Sequence, residues 1–429
     1  MKTKTRLILL LFVFLTPGFL IINTFAQPVK VQGGLIEGTV EDGIIVYRGI
    51  PFAAPPVGEL RWRPPQPVKS WDGVLKADRF CPACLQLNIP MLGFVNWGMS
   101  EDCLYLIIWK PDSVSEGGQS VSMLAASPLA KGLFHKAICM SGGSFLPART
   151  DKEPDCMQLL EGAEKAGIEF ARRMGANSID ELRRIDSQKF LSDTTANIGG
   201  FWPVIDGYVI TGDQYKLYEA GQYNDVPVLV GNTSDEGTLF VMTSMPEDFA
   251  EATRQKYGPV ADKVLSLYPD NPETITRRSM AELFRDYYFV WQTYAWTTLQ
   301  TKTGKSPVFI YYFDQSQPSS AVTLLLKSTG AYHGSDCAYV FNHLDQDPKM
   351  KYTDEDRKLS DIMINYWTNF ARNGDPNGNG LPSWPAYSER EPAVMYLKSD
   401  LHTGSFPNLD KIKVIDEYYG WKRTTEGVE

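Results

Sequence analysis

Short apolar runs of strand length alternate along this chain with longer stretches of helical periodicity, and this alternation constrains the fold more than any other feature. Val226 to Gly231 (VPVLVG) and Val308 to Phe313 (VFIYYF) are continuous apolar runs, typical of strands buried on both faces. Leu359 to Asn373 has helical spacing and is followed by Gly374. The pattern predicts an α/β fold, with a mainly parallel sheet and helices on both of its faces.

Weaker patterns extend this alternation over the rest of the chain. There is no internal repeat and no linker long enough to separate domains, so we expect one interleaved α/β domain. The further predicted strands are 29–40, 43–48, 104–109 and 136–140, and the further predicted helices are 120–134, 157–173 and 178–184.

The overall composition is that of a globular protein. Of 429 residues, 43% are apolar and 22% are charged, which excludes collagen-like and wholly disordered chains. Acidic residues number 51 against 42 basic ones, a net charge of −9. Because binding to nucleic acid depends on neutralising phosphates, an acidic chain without a basic stripe predicts no nucleic-acid partner.

The first 26 residues have the organisation of a secretory signal peptide. Lys2, Lys4 and Arg6 precede an apolar run from Leu7 to Leu15, and small residues up to Ala26 suit a signal peptidase. The alternative is a membrane anchor, but a Pro-Gly pair interrupts the segment before it reaches spanning length. We therefore expect residues 27–429 to be exported, periplasmic or secreted, with no membrane span in the mature chain.

Six cysteines suit an exported protein with one or two disulfides. We expect a disulfide from Cys84, or alternatively Cys81, to Cys103, which would close a surface loop of moderate length. Cys81-Pro-Ala-Cys84 has the spacing of a redox or zinc pair, but no second cysteine pair or histidine lies near it. No metal site and no cofactor are predicted.

Several segments resemble the type-B carboxylesterase family, the α/β-hydrolase group that includes cholinesterases and bacterial para-nitrobenzyl esterases. They occur in the family's order and extend over nearly all of residues 27–429. These segments are 46–62 (VYRGIPFAAPPVGELRW), 100–106 (SEDCLYL), 127–138 (SPLAKGLFHKAI), 201–207 (FWPVIDG), 231–237 (GNTSDEG), 331–334 (AYHG), 366–371 (YWTNFA) and 374–378 (GDPNG).

The resemblance implies ester hydrolysis through an acyl-serine intermediate, with a small-molecule carboxylic ester as substrate. Glu236 stands where the family has the acid of its catalytic triad, and His333 matches the catalytic histidine. Asp336 is an alternative acid that we rank below Glu236. The other three histidines match no catalytic position; they are His135, His343 and His402.

The nucleophile that this chemistry needs is missing from the chain. The sequence contains no Gly-x-Ser-x-Gly elbow and no His-Gly-Gly-Gly run for an oxyanion loop. The family resemblance stops near Pro111 and resumes at Gly117, so the chain is predicted to be internally truncated between about 111 and 117. Two to three βαβ units, roughly 60 to 100 residues, would be absent. They would include the central strands of the sheet.

No other serine is expected to replace the nucleophile. Ser120 and Ser122 lie within the predicted helix that follows the lost elbow, and Ser141 ends the strand beyond it, too far from His333. The chain is therefore expected to be an ester hydrolase by family but inactive as written. Two alternatives stay open: an exported non-catalytic binding protein on the same scaffold, and a defective truncated product.

Overall fold

The chain divides into two compact units, which are described separately here: Met1–Gln86 with Val95–Ser113, and Leu87–Phe94 with Val114–Glu429. This differs from the single interleaved domain expected from the sequence. The computed structural model describes residues 24–25, 27–41, 44–86, 98–110, 118–150, 155–192, 202–241, 248–269, 273–319, 323, 328, 330–345 and 349–424. The predicted signal peptide, apart from residues 24–25, and the junction at 111–117 lie outside these residues.

The first unit consists of two small sheets. One has the strand order β1-β4-β5-β7 with antiparallel pairs, and the other has the order β2-β3-β6. A small apolar core includes Ile36, Tyr47, Ile50 and Ala77. The seven strands are β1 Thr24–Phe25, β2 Val29–Val31, β3 Gly34–Glu37, β4 Thr39–Glu41, β5 Ile44–Pro51, β6 Val74–Lys76 and β7 Tyr105–Lys110.

A five-stranded sheet forms the centre of the second unit, in the order β14-β13-β12-β11-β8. All of its pairs are parallel except the one between β13 and β14. Val230 of β11 lies in register with Cys139 of β8 and Ile310 of β12. The strands of this unit are β8 Ala137–Met140, β9 Ala148–Arg149, β10 Met157–Gln158, β11 Val228–Thr233, β12 Val308–Phe313, β13 Val394–Leu397 and β14 His402–Gly404.

Helices account for most of the remaining structure of the second unit. Short 3₁₀ turns occupy Pro128–Ala130, Ser187–Ser192 and Gly258–Val260, and a π-helical turn occupies Arg285–Val290. The α-helices are α1 Gly118–Ala126, α2 Leu160–Arg173, α3 Ile179–Arg184, α4 Gln214–Glu219, α5 Phe249–Tyr257, α6 Ala261–Leu267, α7 Glu273–Phe284, α8 Trp291–Thr303, α9 Ser335–Val340, α10 Asp354–Asn373 and α11 Leu409–Lys422.

The strand alternation explains how both faces of this sheet are covered. Val228 and Val230 face a core that contains side chains of α8 and α11, whereas Leu229 faces a second core that contains side chains of α10. Every residue of β11 and β12 is buried, as their continuous apolar runs predict. The α/β class, the parallel sheet and its helical covering are thus confirmed. No helix within the described ranges is long and apolar enough to cross a membrane.

Local turn chemistry corrects three predicted boundaries. The helix expected over 120–134 ends at Ala126, because Pro128 starts a 3₁₀ turn. The helix expected from Met157 starts instead at Leu160, after a two-residue strand. Helix α10 begins at Asp354, five residues earlier than predicted, because Thr353 and Asp356 form a capping box.

Candidate active site

Glu236 lies in the loop that follows β11, at the carboxyl end of the parallel sheet, and its side chain is completely buried. Its Oε1 atom accepts hydrogen bonds from the backbone N–H of Thr233 at 2.7 Å and from the Ser141 hydroxyl at 2.5 Å. Its Oε2 atom contacts Nδ1 of His333. A buried carboxylate thus has three polar partners, which is what keeping it in an apolar interior requires.

His333 lies in the loop before α9 and keeps 31% of its side chain exposed. The rings of Phe289 and Phe240 flank the imidazole, with centroids 5.0 and 5.3 Å away. Gly334 follows with φ of +80°, a left-handed conformation that suits glycine where the loop turns into the helix. A histidine held at Nδ1 by a carboxylate presents Nε2 as a base for a neighbouring hydroxyl.

Hydrogen bonds between the two loops hold the acid and the histidine together. The backbone N–H of Asp235 donates to the carbonyl of Ala331 at 2.9 Å, and the N–H of Ala331 donates to Oγ of Ser234 at 3.0 Å. Gly237 allows a further close approach, because a Cβ there would lie 1.8 Å from the carbonyl oxygen of Ala281. The position of Glu236 relative to His333 is therefore set by backbone contacts on either side of both residues.

A buried ion pair in the π-helical turn supports the same loop from below. Arg285 Nε lies 2.7 Å from Asp286 Oδ1, and Arg285 Nη1 donates to the carbonyl of Ser234 at 3.2 Å. The hydroxyl of Tyr268 donates to Asp286 at 2.7 Å. The ion pair thereby connects this turn to the segment that carries Glu236. Its role had no signal in the sequence, since π-turns have no distinctive periodicity.

Asp336, the alternative acid, is buried but contacts a different group. It accepts a hydrogen bond from the hydroxyl of Tyr311 at 2.9 Å. Burial, together with the negative charge of Glu236, raises the pKa of Asp336 to about 6. Glu236, and not Asp336, is therefore the carboxylate in contact with the histidine ring.

The remaining predicted residues lie elsewhere. His135 is exposed before β8, His343 follows α9, and His402 stacks on Tyr396 in β14. Ser120 is exposed on α1. Ser122 is buried in the same helix and accepts a hydrogen bond from the backbone N–H of Ser144 at 3.2 Å.

Ser141 was predicted to end the strand beyond the nucleophile's, and it directly follows β8. The sequence gave no indication that its hydroxyl would donate to Glu236. It has φ of +51°, a left-handed conformation that is costly for a residue with a side chain. A hydroxyl next to the acid at the end of a neighbouring strand was the available signal.

Cys84 and Cys103, the predicted disulfide partners, are free thiols in this structure. They are neighbours: burial, followed by a hydrogen bond with Cys84, raises the pKa of Cys103 to about 12. The predicted bond is thus not present, although it needs no large movement, and it stays a prediction. Within the described part of the chain, no group of three or more His, Cys, Asp and Glu side chains is arranged to hold a metal ion.

A parallel sheet with helices on both faces, and an acid–histidine pair at the carboxyl ends of its strands, define an α/β-hydrolase. The chain belongs to the carboxylesterase family, because the sequence profile described as "Carboxylesterase family" matches residues 26–116 and 113–414. A solved structure of PNB esterase superposes with a TM-score of 0.76 at 24% identity, over 91% of this chain and 99% of that one.

Curated relatives agree with this membership. The para-nitrobenzyl esterase of Bacillus subtilis (strain 168) is 25% identical, with 90% of this chain and 97% of the relative covered. The fumonisin B1 esterase of Sphingopyxis macrogoltabida is 26% identical, over 87% of this chain and 86% of the relative. Family membership supports ester hydrolysis, with small esters as the class of substrate.

Proposed function

We propose that this chain carries the acid–base half of a serine carboxylesterase, with His333 as the general base and Glu236 as the acid that orients it. The contact between Glu236 and Nδ1 of His333 carries this proposal. In the complete reaction, His333 would take the proton of an attacking serine and return it to the leaving alcohol. Water would then release the acid from the acyl-serine. The substrate would be a small-molecule carboxylic ester.

The chain as written would not complete this reaction, because it contains no serine on a Gly-x-Ser-x-Gly elbow and no oxyanion loop. Ser141 does not fill the role in this proposal. Its hydroxyl donates to Glu236, the acid, so its proton is directed away from the imidazole. A nucleophile must instead donate to the histidine.

An internal deletion accounts for this loss. The family profile matches in two segments that meet at residues 113–116, where the sequence predicts the junction. The match to the Bacillus subtilis para-nitrobenzyl esterase extends over 492 aligned positions but takes in 90% of this chain, about 386 residues. About 100 positions of the alignment therefore have no counterpart here, near the upper end of the predicted loss.

Ester turnover tests the proposal directly. With para-nitrophenyl acetate, we expect the full chain to be no faster than its His333→Ala variant, and Ser141→Ala to change nothing. A matched positive arm replaces residues 111–117 by the corresponding segment of the Bacillus subtilis para-nitrobenzyl esterase. This chimaera should exceed its own His333→Ala variant by at least about 10⁴-fold. Turnover in the unaltered chain that disappears on His333→Ala or Ser141→Ala would contradict the proposal.

Two other functions are separated by cheaper measurements. Sequencing the encoding DNA between the codons of Trp109 and Gln119 would reveal whether a reading frame through an elbow exists, in which case the intact enzyme is the native protein. A non-catalytic binding protein predicts a continuous gene and a cooperative denaturant transition, whereas a defective product predicts no cooperative transition.

Export is part of the same proposal, since the basic, apolar and small-residue segments before Gln27 are those of a signal peptide. Mass spectrometry of the exported protein should give an N-terminus at Gln27. The same spectrum should show Cys84 linked to Cys103, a pairing supported by the contact between their thiols. A retained N-terminal segment would contradict export.

A further inference from the structure

The outer edge of β8 in the second unit has no strand partner in the part of the chain that the structure describes, because β8 is the terminal strand of its sheet. The backbone N–H groups of Ala137 and Ser141 donate to β11, at 3.0 and 2.9 Å. Since backbone groups alternate between the two edges of a strand, those of Ile138 and Met140 point to the outer edge. These two residues offer two donors and two acceptors.

An apolar surface lies in the segment that leads into this edge. Helix α1 packs on β8, where Cys139 Sγ contacts the carbonyl of Gly118 at 3.2 Å. Between α1 and β8, three leucines face solvent: Leu124 and Leu129 are 50% exposed and Leu133 is 78% exposed. Single exposed leucines are ordinary, but three within ten residues beside an unpaired strand form a surface that favours association.

We propose that this edge, with Leu124, Leu129 and Leu133, is an interface between two copies of this chain. A row of outward N–H and C=O groups is matched by extended backbone, which makes another strand the fitting occupant. A second copy presents the same short edge. The proposal therefore concerns self-association, beyond the acid–base role proposed above.

The register of β8 makes the edge self-complementary. In an antiparallel pair with a two-fold axis at Cys139, Ile138 lies opposite Met140 of the second copy, and Met140 lies opposite its Ile138. Both are hydrogen-bonded positions, so all four outward donors and acceptors of each pair are satisfied. The axis is perpendicular to the sheet, so α1 of each copy lies on the same face of a continuous ten-stranded sheet. An isologous contact of this kind closes at a dimer.

Sedimentation equilibrium of the full chain tests the proposal. We expect a reversible monomer–dimer equilibrium whose dissociation constant rises at least about 30-fold in the double variant Leu129→Lys and Leu133→Lys. The matched control is Ile168→Lys with Ile179→Lys, two exposed apolar residues on α2 and α3 of the same unit, which should leave the equilibrium unchanged. All four substituted positions are exposed, so the fold should survive, as checked by circular dichroism.

Amide hydrogen exchange tests the strand contact itself. The amides of Ile138 and Met140 should become protected as the protein concentration rises. The amide of Cys139 faces β11 in both states and should not change, so it serves as an internal control. A monomer at every concentration, an open-ended series of larger species, or a dimer insensitive to the leucine substitutions would each overturn the proposal. A dimer without protection at Ile138 and Met140 would also overturn it.

Discussion

The loops after β11 and β12 differ from the segment that contains α1 and β8, although a serine hydrolase needs both regions. In the loops, Glu236 and His333 are held by contacts with residues of the same part of the chain, from Thr233 to Ala331. In the α1–β8 segment the sheet ends at an unpaired strand and three leucines face solvent. A half-site survives a deletion when its supporting contacts are encoded on one side of the lost segment.

The largest effect expected from breaking this comparison comes from the buried ion pair below the loops. Arg285→Ala would leave the carboxylate of Asp286, which is fully buried, without its cation. It would also remove the donor to the carbonyl of Ser234. We expect a loss of about 3–5 kcal/mol in the free energy of unfolding, measured by urea denaturation.

The control for Arg285 is a second arginine of the same helical stretch. Arg278 pairs with Glu282 at 2.8 Å, but 68% of its side chain is exposed, so Arg278→Ala should cost less than about 1 kcal/mol. Equal losses in the two variants would mean that the buried pair does not support the loops, and the contrast between the two regions would lose its basis.

The pH dependence of stability sharpens the comparison at Asp336. Its folded pKa of about 6 lies above the ordinary value of 3.8, so the protonated form is favoured by folding. This stabilisation is complete below about pH 4 and is lost as the pH rises through 6. A difference of about two pKa values corresponds to about 2–3 kcal/mol.

Asp336→Asn isolates this contribution, because the amide does not titrate and its oxygen still accepts from Tyr311. The free energy of unfolding of the variant minus that of the parent should rise by about 2–3 kcal/mol between pH 4 and pH 7. Urea denaturation at each pH measures it. Glu236→Gln should reduce the dependence, since the charge of Glu236 is one of its causes. A flat difference across this range would exclude the raised pKa.

Patterns local in sequence predicted most of the fold and two residues of the candidate site. The buried strands β11 and β12 follow from continuous apolar runs, and the resemblance of 231–237 and 331–334 led to Glu236 and His333. Contacts between residues far apart in sequence could not be predicted in this way. Arg285 meets Ser234 across 51 residues and Ser141 meets Glu236 across 95, and neither contact leaves a periodic signal. The division into two units was also missed, because no linker composition marks it.

Ser141 is where the α1–β8 segment reaches the acid, and its substitution gives the smallest expected effect. Ser141→Ala removes a hydrogen bond to a buried carboxylate and should cost about 1–3 kcal/mol in the free energy of unfolding. Ser141→Gly removes the same hydrogen bond but relieves the left-handed backbone at φ of +51°. The glycine variant should therefore be about 1 kcal/mol more stable than the alanine variant.

Urea denaturation of the two Ser141 variants separates these contributions, with Ser120→Ala on the exposed face of α1 as the matched control, expected within about 0.5 kcal/mol of the parent. Alanine and glycine variants of equal stability would show that the turn after β8 is unstrained. If both matched the parent, the hydroxyl would not hold Glu236, and the acid would depend only on the loops after β11 and β12. The measurement thus decides whether the segment beside the deletion still contributes to the half-site, or whether that half-site is independent of it.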